Sequence, residues 1–131
     1  MTYENFCDEL KAKSSAIHEK SDRLVQLKLA VILTDTKLYS KVLGDFFCIF
    51  KAIEDGVQNN IDHKYLTDLW IPALLRADKF VQDLEYYSGL GWRDMLKPSA
   101  AALKYVSRIE TLANEEPALL VAYVHTMYLG K

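Results

Sequence analysis

The chain has 131 residues, 50% hydrophobic and 26% charged, with a formal net charge of −2. That length suits one domain with one core, and the balance excludes a disordered chain. The charge gives no electrostatic ground for binding nucleic acid or anionic lipid. Only five glycines and three prolines interrupt it, which favours helices. No run of 18 apolar residues occurs, so no membrane span is expected. The start MTYENFCDELK is polar and carries no secretory core. Cys7 and Cys48 form neither a CxxC nor a zinc spacing and read as buried free thiols in a reducing compartment.

The first helix is predicted from Tyr3 to about Lys20. Tyr3, Phe6, Cys7, Leu10, Ser14 and Ile17 recur at helical spacing on one stripe, with Thr2 as N-cap and Glu4 in the first turn. A second, short piece follows from Asp22 to Leu33. Thr34-Asp35-Thr36 offers capping oxygens to a third helix running to about Gln58, whose face includes Leu38, Val42, Phe46, Ile49, Phe50 and Ile53. Residues 61–71 read as a connector with a helical turn. Pro72 fits the first turn of a fourth helix ending near Tyr87, and Ser88-Gly89-Leu90-Gly91 is a break. Pro98 opens a fifth helix to about Ala113, and Pro117 a sixth. That last segment, ALLVAYVHTMYLG, has almost no solvated face, so it is expected to be covered on several sides. The expectation is therefore a fragment, a truncated isoform or a partner-dependent subunit.

Three histidines are the candidates for chemistry. His18 follows Lys11 by seven residues, so both project from one side of the first helix, ~10 Å apart along the axis. Ser14 and Ser15 between them leave room for a flat ligand. The imidazole could reach an iron and the lysine a carboxylate. The plainer reading is a surface histidine near Glu19 and Asp22, and both stay open on spacing alone. His63, between Asp62 and Lys64, reads as a solvated loop residue. His125 reads as a core histidine satisfied by one hydrogen bond, or alternatively as a pocket residue. Glu54-Asp55 and Glu115-Glu116 form no strong carboxylate pair, the latter explained by a helix dipole. No P-loop, nucleophile elbow or GxGxxG is present. The residues alone reach an all-α domain with one candidate histidine site.

Four segments in order carry a resemblance: FCDELKAKSSAIHEKSD (6–22), FFCIFKAIED (46–55), the stretch 71–92 with Pro72, Leu75, Arg76, Gln82-Asp83-Leu84 and Gly91-Trp92, and EEPALLVAYVHTMYLG (115–130). Together they resemble the N-terminal portion of heme oxygenase. The resemblance implies an all-α, multihelical bundle of about six helices, an incomplete domain over 1–131, with heme held between a proximal and a distal helix. It implies His18 as the axial ligand of the heme iron, Lys11 near a propionate and Asp22 holding the imidazole N–H. His125, Met127 and Gly130 then line the other side of the heme.

The implied reaction opens heme with O₂ and electrons from an external reductase, giving biliverdin, carbon monoxide and iron. The implied location is the cytoplasm, with association at the endoplasmic reticulum in view of the animal enzymes. The pattern is not complete. Lys131 stands where the family has an aspartate, and the Gly-rich kink that follows is missing. Phe50 replaces a tyrosine, Met127 an arginine and His125 a tyrosine. A non-catalytic heme binder and a helical interaction module are the alternatives.

Overall fold

The computed structural model describes residues 2–129. The described elements are helices and turns, and two compact units divide after Leu38.

The first unit is built on α1, Tyr3–Ile32. The Thr2 side chain caps it, accepting from the Asn5 amide at 3.3 Å, with Glu4 in the first turn. The expected joint near Lys20–Asp22 is absent, and one 30-residue helix replaces the two short ones. Neither Gly nor Pro interrupts the segment, and the apolar recurrence Tyr3, Leu10, Ile17 continues through Leu24 and Val31. Arg23 also pairs with Glu19 at 3.8 Å across the expected joint, a spacing that adds a few tenths of a kcal/mol to a helix (~0.3). α1 ends where the Thr34 hydroxyl donates to the Val31 carbonyl at 2.6 Å. Asp35 then caps the next helix, accepting from the Lys37 amide at 2.9 Å.

The second unit takes most of α2 (Thr36–Asn59), then α3 (Ala77–Ser88), α4 (Trp92–Met95), α5 (Ala100–Glu115) and α6 (Leu120–Val124). Its larger core gathers Ala52, Ile53 and Val57 of α2, Leu66 of the connector, Ile109 and Leu112 of α5, and Leu120 and Val124 of α6. Ile53, Leu66, Ile109 and Leu120 are completely buried, each burial worth ~1.5–3 kcal/mol. A smaller core joins Leu43, Leu84 and Trp92, with Phe47 edge-on to Trp92 at 5.3 Å.

Polar ties fix the helix ends. Asp45 on α2 accepts the Ser99 amide at 2.9 Å, and the Ser99 hydroxyl caps α5 through the Ala102 amide at 3.1 Å. The fifth helix therefore starts at Ala100, after Pro98. The Asn60 amide bridges the Gly56 carbonyl at 2.8 Å and the Ala113 carbonyl at 3.0 Å. Gly56 permits that approach of α2 to α5 and α6, since a Cβ there would stand 3.2 Å from Leu120 Cδ1 and 3.3 Å from Ala113 Cβ. Gly89, at φ 78°, ends α3 as the break at 88–91 anticipates.

Two proline-led helices differ from expectation. Pro72–Leu74 is a single 3-10 turn, Leu75 is extended, and α3 begins only at Ala77. The sixth segment changes winding twice: a 3-10 turn at Pro117–Leu119, α6, then a π-helical turn at His125–Leu129. Leu120 and Val124 are buried, while Leu119, Ala122, His125 and Thr126 are exposed. The segment thus has a solvated face that its composition hides. Both cysteines are free but half-buried rather than buried.

Candidate functional site

The expected proximal residues share one helix. Because α1 is continuous through residue 22, Lys11, His18 and Asp22 fall at i, i+7 and i+11, within about 40° of one another around the axis. All three are exposed on α1. The Ser14 hydroxyl, between Lys11 and His18, turns back to the Leu10 carbonyl at 2.8 Å, and Ser15 to the Ala12 carbonyl at 3.3 Å. Their hydrogen-bonding capacity is turned onto the helix, which leaves a low floor between the cation and the imidazole. This donor set suits heme: an imidazole lone pair for the iron, an ammonium for a propionate and a carboxylate for the second ring nitrogen.

The expected distal residues lie at the end of the second unit. His125 opens the π-helical turn and is exposed, which overturns its reading as a core histidine. Its neighbour Val124 takes the buried position instead. Met127 is half-buried against the larger core. Gly130 and Lys131 lie outside the described residues. His63 sits in the connector as expected, its Nδ1 accepting from the Tyr65 amide at 3.3 Å.

A third group was not anticipated. Glu54 is 8% exposed on the apolar face of α2. Its Oε1 accepts from the backbone amides of Arg76 and Ala77, the latter at 3.3 Å, and from the Tyr128 hydroxyl at 2.9 Å. One carboxylate thus caps α3 from another helix and anchors the π-helical turn. Burial, then the Glu54 hydrogen bond and charge, push the Tyr128 phenol far above its ordinary range. The Phe50 ring meets Tyr128 edge-on at 5.1 Å. Beside the pair lies a cavity of about 90 Å³, lined apart from Glu54 and Tyr128 by apolar residues such as Val57, Trp70, Leu74 and Val124. The available signal was Glu54's register, one turn after Phe50 and beside Ile53, which puts a carboxylate where the helix is otherwise apolar.

The sequence matches the heme oxygenase family profile over residues 4–131. The chain belongs to the heme oxygenase family. The heme oxygenase of Porphyra purpurea is 31% identical over 127 residues, covering 96% of this chain and 54% of its own length. That of Pyropia yezoensis is 32% identical over 124 residues, covering 94% and 52%. Among solved structures, heme oxygenase-1 from Synechocystis in complex with heme superposes with a TM-score of 0.82 at 31% identity, covering 94% of this chain and 56% of that one. Heme oxygenase 2 of Chlamydomonas reinhardtii, solved without heme, gives 0.84 at 32% identity, covering 94% and 60%. The all-α heme oxygenase fold is therefore established. The chain spans about half the length of the curated heme oxygenases it matches.

Proposed function

We propose that this chain takes heme as its substrate, with His18 as the axial ligand of the iron, and acts in the heme oxygenase reaction. The observation that carries the reading is the single face of α1 bearing Lys11, Ser14, Ser15, His18 and Asp22, in a chain of this family. On this reading Lys11 pairs with a propionate. Asp22 accepts the N–H of the ring nitrogen that does not meet the metal, fixing tautomer and orientation. Ser14 and Ser15 keep the floor beneath the porphyrin low. By the resemblance His125, Met127 and Gly130 have the part of distal heme contacts, and 1–131 is part of one heme oxygenase domain. Heme brings the iron at which O₂ is reduced. Electrons come from an external reductase, and the products are biliverdin, carbon monoxide and iron.

Among the described residues no helix is long and apolar enough to cross a membrane. The reading places the protein in the cytoplasm, with association at the endoplasmic reticulum as the family's animal members suggest.

A second reading, heme binding without cleavage, is favoured by Phe50 and Met127. Neither side chain donates a strong hydrogen bond, and both stand at positions where the resemblance expects a polar group. Hemin titration separates the readings. Wild type is expected to give a sharp Soret band that His18→Ala abolishes and added imidazole restores. With a reductase, wild type then yields biliverdin. Hemin binding that survives His18→Ala rejects the axial role. His18-dependent binding with no biliverdin rejects catalysis and leaves the second reading.

A further inference from the structure

We infer that Glu54 is a positioning residue that sets the helical register of His125–Leu129, and so decides which side chains of that turn face outward. Its bearing on heme rests on the reading above, since that turn is the part of the second unit assigned there to the distal side. Two fixed points bracket the turn. On one side, Leu120 and Val124 are locked in the larger core. On the other, the Glu54 carboxylate is itself immobilised, because it caps the first amides of α3 as well as holding Tyr128. Glu54 cannot follow Tyr128 without uncapping α3, so Tyr128 must come to Glu54.

The chain between these points meets that demand by widening. An i→i+5 bond admits one more residue per turn than the α ladder, and one residue spans ~100° of an α-helix. Continuing α6 as an ordinary α-helix would swing Tyr128 round by much of that angle and carry its hydroxyl off the carboxylate. Phe50 packs on the Tyr128 ring but has no polar group to direct it. The bond from the hydroxyl to Glu54 is the directional element. The wide register also leaves Met127 half-buried and His125 exposed, so a change of register exchanges the side chains the turn presents.

The test is Tyr128→Phe in the full chain, free of heme, with backbone NMR on residues 120–129. The expected result is loss of i→i+5 contacts after Val124, their replacement by i→i+4 contacts, and a shift of the Met127 methyl resonance. Glu54→Gln, which keeps an acceptor oxygen and the volume, is expected to retain the wide turn. Glu54→Met, which keeps neither acceptor nor charge, is expected to lose it. Where Glu54→Met fails to fold, Tyr128→Phe decides alone. An unchanged i→i+5 pattern in Tyr128→Phe overturns the inference and leaves Glu54 as a cap of α3 only. A parallel hemin titration of wild type tests the heme reading separately, because the register is read without heme.

Discussion

Replacing Glu54 by alanine tests whether its hydrogen bonds outweigh the cost of burying a charge. The substitution takes the cap from α3, at about 1 kcal/mol, and removes a negative charge from that helix's N-terminus, at ~0.3–1 kcal/mol. It also leaves the Tyr128 hydroxyl unpaired in a half-buried site, which costs ~1–3 kcal/mol. Against these stands relief of the carboxylate's desolvation. The net expectation is a loss of about 3 kcal/mol for Glu54→Ala. For Glu54→Gln, which keeps volume and one acceptor, about 1 kcal/mol is expected. Urea unfolding followed by tryptophan fluorescence reads this directly, since Trp70 shares the cavity wall with Glu54. With a slope of ~1–3 kcal/mol/M, the alanine variant should unfold at a midpoint about 1–3 M lower. If Glu54→Ala unfolds with wild type, or Glu54→Met is the more stable protein, desolvation dominates and the hydrogen-bond accounting is wrong.

Two further outcomes follow from the same region. Tyr128's phenol is raised by burial and by Glu54, and Tyr105's in the same direction by burial and then Tyr123, both from an ordinary value of 10.0. The folded chain keeps protons that the unfolded chain loses. Stability is therefore whole below about pH 10 and falls above it, by at most ~1.4 kcal/mol per pH unit for each such group and by less for these half-buried phenols. Phenolate absorbance should show a late step coinciding with unfolding that Tyr128→Phe diminishes, and ionisation of all eight tyrosines in one step before unfolding contradicts it. At Gly56, Cβ contacts of 3.2 Å to Leu120 and 3.3 Å to Ala113 oppose the ~1 kcal/mol helical gain of Gly56→Ala. The Ala113 methyl is fixed to backbone, so overpacking of ~1–3 kcal/mol should win, with Gly56→Val worse. A rise in the urea midpoint of Gly56→Ala would show that the helices yield.

The helical plan was legible because it rests on local signals. Thr2, Asp35, Gly89 and the 3.6-residue recurrence each act within a turn of where they stand, and the helix ends they imply lie close to those observed. What failed was the reading of punctuation. Asp22 looked like a helix start, yet nothing nearby breaks the ladder, and the same apolar stripe runs on. Pro72 and Pro117 each fit a helix's first turn, but Pro72 opens a single 3-10 turn that stops short of α3, while the 3-10 turn at Pro117 runs straight on into α6. In the first case the reason lies 22 residues away, where Glu54 takes the amides of Arg76 and Ala77 and so fixes where α3 begins.

The same contrast governs the site. Lys11, His18 and Asp22 are a pattern of one helix, so spacing alone could group them once the helix is known to be continuous. Glu54 and Tyr128 are 74 residues apart, and no local rule pairs them. The resemblance did mark the neighbourhood, through Phe50 where a tyrosine is expected and Met127 where an arginine is expected. Both replacements remove side-chain hydrogen bonding. Tyr128 remains, and its hydroxyl is directed by Glu54. In this chain the orientation of the π-helical turn therefore rests on a buried carboxylate tied to a helix N-terminus. The polar groups lost at residues 50 and 127 would alter what the turn offers a ligand, while leaving intact the bond that aims it.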